Sequence, residues 1–93
     1  MNLDKIPIEF HSFIPLIKKW GIYDEFERNE KIRTLNKKEL AHLAQSLNSE
    51  KGDKLLEWLA EKSEDLELSC SDEYINISCF AMAYEYARVK LKS

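Results

Sequence analysis

The sequence is short of the residues that punctuate a chain. It has two glycines and two prolines in 93 residues. A β-sandwich or small barrel needs a turn about every 8–12 residues, so this scarcity argues against both. No apolar run approaches the roughly 18 residues of a membrane span. Histidines and cysteines number two each, and no C-x-x-C or H-x-x-x-H spacing joins them. There is no G-x-x-x-x-G-K or G-x-G-x-x-G to cradle phosphates. Nor is there a G-x-S-x-G elbow to present a nucleophile. The start, Met1-Asn2-Leu3-Asp4-Lys5, lacks the charged-then-apolar pattern of a secretory leader. A cytoplasmic location is therefore expected, with Cys70 and Cys79 as reduced thiols.

What remains is 44% hydrophobic, 33% charged and 11% aromatic. That is too apolar and aromatic for a disordered chain. A chain of this length fits one domain, residues 1–93, that buries about 60–65% of its unfolded surface. Abundant Leu, Glu, Lys and Ala favour helix. The expected fold is all-α: a compact bundle of four to five helices with the long C-terminal one at its centre.

The segment from Pro7 to Trp20 carries Ile8, Phe10, Phe13, Ile14, Leu16, Ile17 and Trp20. Pro15 has no amide hydrogen and clashes with a preceding helical turn. The segment is thus kinked, or is two short helices with Pro15 near the start of the second. Gly21 sits where helices commonly end in a left-handed residue. Asp24 and Glu27 have capping-box spacing. They open a short surface helix to about Thr34, with Phe26, Ile32 and Leu35 as its apolar residues. Asn36 and Glu39 repeat the capping signal. Leu40, Leu43, Ala44 and Leu47 then fall at i, i+3, i+4 and i+7, a single buried face. Asn48 to Asp53 reads as a turn around Gly52. Ser49 or Asp53 caps a helix reaching about Lys62, with Leu55, Leu56, Trp58, Leu59 and Ala60 on its apolar side.

From Ile75 two adjacent stripes run side by side: Ile75, Cys79, Met82, Tyr86, Val89, and Ile77, Phe80, Tyr84, Ala87, Leu91. Together they make a wide apolar surface. Tyr84 and Tyr86 point about 200° apart on such a helix, so they cannot both be buried in the same way. A rival pattern exists, because Leu66–Cys70 and Ile75–Cys79 each alternate with period two, as a hairpin would. The 3.6-residue period persists for four turns after Ile75 and favours helix there.

The net charge is −3. Residues 61–73 alone carry −5, from Glu61, Glu64, Asp65, Glu67, Asp72 and Glu73 against Lys62. An acidic chain lacks the basic stripe that a general nucleic-acid binder needs. Lys37 and Lys38 at the start of the second of two close helices are the one feature favouring a helix-turn-helix. Glu39 and His42 share a helix face at the spacing of carboxylate-bridged di-metal bundles. Such sites need two of these pairs, and one is present. No metal, cofactor or catalytic residue is expected, and the chain is not expected to be an enzyme.

The stretch Phe13-Ile14-Pro15-Leu16-Ile17-Lys18-Lys19-Trp20-Gly21-Ile22, followed by Asp24-Glu25 and Glu27-Arg28, resembles a segment of small bacterial helical proteins in which a leucine-rich helix follows. Here that helix is Leu40 to Leu47. The format, short and acidic, resembles the immunity proteins of contact-dependent growth inhibition and other polymorphic-toxin systems. This resemblance implies stoichiometric inhibition of a cognate toxin domain, commonly a nuclease, by a helical protein. A nuclease site is basic because it holds phosphate, and an acidic surface can steer to it and cover it. The candidate contact residues are Glu64, Asp65, Glu67, Asp72 and Glu73, with Asp24, Glu25 and Glu27 as a second acidic group. Trp20 and Tyr23 are the candidate aromatic anchors, since acidic rim pairs alone contribute little. The expected partner is thus a basic protein, with no direct nucleic acid and no membrane, and a monomer is favoured over a homodimer. The alternative is a small regulatory or adaptor protein, homodimeric if it closes the wide face of the last helix.

Overall fold

Five of the described helices start at a side chain that accepts a hydrogen bond from the first turn, whereas the first two segments have no such cap. A computed structural model describes residues 5–93; the expectation that the first residues carry no secretory leader pattern concerns Met1 to Lys5, of which 1–4 lie outside the described residues. A 3₁₀ segment, Ile8–Phe13, leads into α1, Ile14–Trp20. Pro15 lies in the first turn of α1, where its missing N–H has no intrahelical role. The break falls where the sequence places it. Then come α2, Glu25–Arg33, α3, Lys37–Gln45, and α4, Glu50–Lys62. A single turn, α5, Leu66–Ser69, precedes α6, Asp72–Lys92. The fold is all-α, with one short helix more among the described residues than the four or five expected.

Asp24, Asn36, Ser49, Asp65 and Ser71 each cap a helix by accepting from a backbone N–H three residues on. Asn36 and Glu39 form the full reciprocal capping box, at 2.9 and 3.0 Å. Ser49 rather than Asp53 caps α4. The turn before α4 is therefore shorter than expected, and Gly52 lies inside the helix. The period-two pattern around Leu66–Cys70 does not form a strand. Asp65 turns that stretch into α5, and helix resumes at Asp72.

The 21 residues of α6 span about 32 Å at 1.5 Å per residue. That nearly matches the longest dimension of the molecule, 36 Å. Every other α-helix packs on α6, α3 most extensively, while the 3₁₀ segment packs on α1 and α4. The stripe Ile77, Phe80, Tyr84 and Ala87 is buried with Ala83. Facing it are Phe10, Phe13, Ile17, Ile32, Leu43, Leu47 and Leu55. The Phe13 and Phe80 rings meet tilted, 6.4 Å between centroids, and Tyr74 Oη donates to the Leu59 carbonyl at 2.7 Å, tying α6 to α4. Truncating a phenylalanine such as Phe80 costs about 3–5 kcal/mol, a large share of the stability of a domain this small.

Gly21 does not adopt the left-handed cap expected of it; its φ is −75°. It is small for another reason. A Cβ there would lie 2.5 Å from the Ile17 carbonyl oxygen and 2.9 Å from that of Asn76. The end of α1 comes so close to α6 that only hydrogen fits. Among the described residues no helix is long and apolar enough to cross a membrane.

Candidate protein-binding surface

The polypeptide leaves α1 at Gly21 and enters α2 at Glu25, and this connection sets the surface. Asp24 Oδ1 accepts from the Glu27 N–H at 3.1 Å. The first turn of α2 therefore displays Glu25 and Glu27 as well as Asp24, all exposed. Acidic side chains there also interact favourably with the helix dipole. Tyr23, just before the cap, is 79% exposed. It has no core contact to explain an aromatic at that point.

Tyr23 and Glu25 form one wall of a groove of about 290 Å³. The opposite side is built from α6 and the end of α5: Ser69, Tyr74, Ile75, Ser78, Cys79 and Met82. Met82 is 54% exposed, although it belongs to an apolar stripe. That stripe, starting at Ile75, is only partly covered, and its far end at Val89 is exposed as well. On α6 the Ile77 stripe faces the core, and the first half of the Ile75 stripe, to Met82, lines this groove. Tyr84 is buried and Tyr86 half-buried, as their 200° separation requires.

Beneath the groove lies Arg28, 4% exposed. Its Nη1 donates to the Ile22 carbonyl at 2.7 Å, and its Nη2 faces Met82 Sδ at 3.7 Å. Its Nε is buried with no hydrogen-bond partner. No carboxylate lies within ion-pair distance of it among the described residues. Burial pushes the neighbouring Cys79 thiol above its ordinary pKa, and the Arg28 charge acts in the opposite direction. Cys79 is a free, buried thiol, and Cys70 is free and exposed.

The candidate contact residues do not form one surface. Trp20 is in the interior, 3% exposed, and this corrects its role as an accessible anchor. Lys31 Nζ sits 4.9 Å and Lys19 Nζ 5.6 Å from its ring centroid, so their ammonium groups cover the indole by cation–π contact. Glu73 is 5% exposed and belongs to the first turn of α6, so its carboxylate is not part of an open acidic face. Glu64, Asp65, Glu67 and Asp72 are exposed. Asp65 caps α5 through the Leu68 N–H at 3.0 Å. Asp65 and Glu67 line a separate hollow with Lys5, Leu68 and Ser71. Only Tyr23 and Glu25 border the α2–α6 groove.

Glu39 and His42 line a shallow hollow of about 220 Å³ with Lys19 and Trp20. No group of three or more metal-ligating side chains occurs among the described residues.

Arg28 and Met82 were not among the candidate contact residues. Met82 had a signal, its place in the Ile75 stripe of α6. Arg28 had a fainter one: Arg28, Ile32 and Leu35 fall at i, i+4 and i+7, which puts the arginine on the buried face of α2. Comparisons with protein-family models, curated proteins and solved structures return no match to this chain.

Proposed function

We propose that this chain is a protein-binding module, and specifically a toxin-neutralising immunity protein. In this reading it acts stoichiometrically in the cytoplasm and is not an enzyme. The supporting observation is the pairing of Tyr23 with Met82, both exposed and both bordering one groove. Beside them stand three exposed carboxylates, Asp24, Glu25 and Glu27. An exposed aromatic beside an apolar groove is the kind of residue that anchors an interface. Carboxylates at its rim speed encounter with a basic partner and exclude acidic ones. A toxin nuclease domain is basic where it holds phosphate, so covering that site would block its substrate. Around α5, the exposed Asp65 and Glu67 line a separate hollow and do not join the groove.

The test is binding to the product of the adjacent upstream gene, by calorimetry at low and high salt, with toxicity scored in cells. The expected result is tight one-to-one binding that weakens with salt and abolishes toxicity. Tyr23→Ala is expected to weaken it by about 2 kcal/mol, the scale of a central aromatic anchor. Absence of binding with toxicity undiminished overturns the toxin reading.

A second reading is favoured by the open stripe of α6, where Met82 and Val89 are exposed along one helix. A regulatory or adaptor homodimer would close that stripe. Sedimentation of the protein alone separates the two, since a dimer broken by Met82→Lys and Val89→Lys supports the adaptor and a monomer excludes it.

A further inference from the structure

Arg28 is a charged side chain in a position where charge is costly. A guanidinium offers five N–H donors and stays protonated under all ordinary conditions. Here one donor meets a carbonyl and another a thioether, which is a weak acceptor. Nε meets nothing, and no carboxylate among the described residues pairs with the charge. A buried charge without a counter-ion is strongly destabilising, and pairing removes most of that penalty. The same arginine lines the α2–α6 groove, which has room for a ligand.

We propose that this groove is a monocarboxylate-binding site, with Arg28 as the residue that pairs with the anion. The site carries a single positive charge, which matches one carboxylate better than a phosphate dianion. Guanidinium and carboxylate are both planar and form paired charge-assisted bonds. The walls suit an organic acid. Tyr23, Ile75 and Met82 are apolar or aromatic, and the Ser69 and Ser78 hydroxyls supply further donors. Glu25 at the rim repels a second negative charge. The carboxylate has two sources, an acidic side chain presented by a partner protein or a small free acid. The site does not depend on the toxin reading, because its chemistry is set by Arg28 whatever the partner.

The test follows the Arg28 Nε–H signal by NMR in the intact protein during titration. The probes are benzoate for a free acid, N-acetyl-glutamic acid N-methylamide for a side chain in a polypeptide, and benzamide and inorganic phosphate as controls. The expected result is a saturating shift with at least one carboxylate and none with benzamide. Saturation by benzoate alone assigns a free acid, and saturation by the glutamate derivative assigns a partner's side chain. Arg28→Lys keeps the charge but loses the paired geometry, so affinity is expected to fall about tenfold. Arg28→Met, folded by circular dichroism, is expected to abolish binding. No saturation with either carboxylate overturns the proposal, as does equal binding of phosphate. Binding that appears only in Glu25→Gln also overturns it, because Glu25 would then be the counter-ion.

Discussion

Replacing Gly52 with alanine sets two effects of opposite sign against each other. Gly52 is the third residue of α4, and its N–H is bonded to Ser49 Oγ at 3.0 Å. Helix propensity favours alanine over glycine there by about 0.8–1.0 kcal/mol. No positive φ stands in the way. The contacts oppose it. A Cβ would lie 2.1 Å from the Leu47 carbonyl oxygen and 2.5 Å from its carbon, where ordinary contact begins near 3.4 Å. These are backbone atoms of a turn closed by the Ser49 N–H on that same Leu47 carbonyl at 3.0 Å. The Leu47 side chain is fully buried, so the turn cannot retreat without disturbing the core. Overpacking of this kind costs about 3 kcal/mol at the upper end of its usual range. The net expectation for Gly52→Ala is a loss of about 2 kcal/mol, a fall in Tm of roughly 8–16 °C for a domain this size. Thermal unfolding followed by circular dichroism measures it, with the exposed neighbour Lys51→Ala as a control expected to stay within about 0.5 kcal/mol. An unchanged or raised Tm would refute the reasoning, since it would mean that the turn moves freely and propensity decides.

Other outcomes follow from the same geometry. Gly21→Ala is expected to cost about 1–3 kcal/mol in urea unfolding, because α1 must move away from Asn76; an unchanged midpoint would show that the approach is loose. Asn36→Ala removes one half of a capping box and is expected to cost about 1 kcal/mol, with Asn36→Asp largely restoring it. Equal stability of the Ala and Asp variants would contradict this. The Cys79 thiol is raised in the folded state, so its contribution is present below the ordinary thiol pKa and is lost as pH rises toward the folded value. Stability should therefore decline with alkaline pH, and less steeply in Cys79→Ala; parallel curves would remove Cys79 as the cause.

Features decided by neighbouring residues were legible in the sequence. Asn36 and Glu39 meet through one helical turn, and Pro15 acts on the turn before it, so spacing alone placed both. The face of α3 followed from periodicity, as did the buried stripe of α6. Features decided by distant segments were not. Gly21 reads as a left-handed cap because that is the common local reason for a glycine after a helix. Its actual constraint is crowding, by the Ile17 carbonyl of the helix it follows and by a carbonyl 55 residues away, at Asn76. Arg28 reads as one more charge on a polar helix unless its register with Ile32 and Leu35 is noticed, and the packing of α2 on α6 is what buries it. Trp20 is ambiguous from sequence, since a tryptophan serves equally in a core or at an interface. The lysines that cover it come from α1 and α2, and Lys31 reaches its ring only once α2 has docked.

The position of α6 as the hub of the fold also orders events in time. It is the last of these helices to be synthesised, and every other α-helix needs it for burial. Until residues 72–92 are available, α1 to α5 have no common partner, and the parts of their apolar faces that α6 covers stay wet. A helical domain rich in local contacts folds in microseconds to milliseconds, whereas a ribosome adds about 5–20 residues each second. The exposed interval is thus set by translation rather than by folding. During it the leucine face of α3 and the aromatic end of α1 are open to chaperones. Protease protection in chains stalled along α6 should rise abruptly, near the point where Phe80 to Ala87 become free to pack, and a gradual rise beginning before α6 would contradict that order.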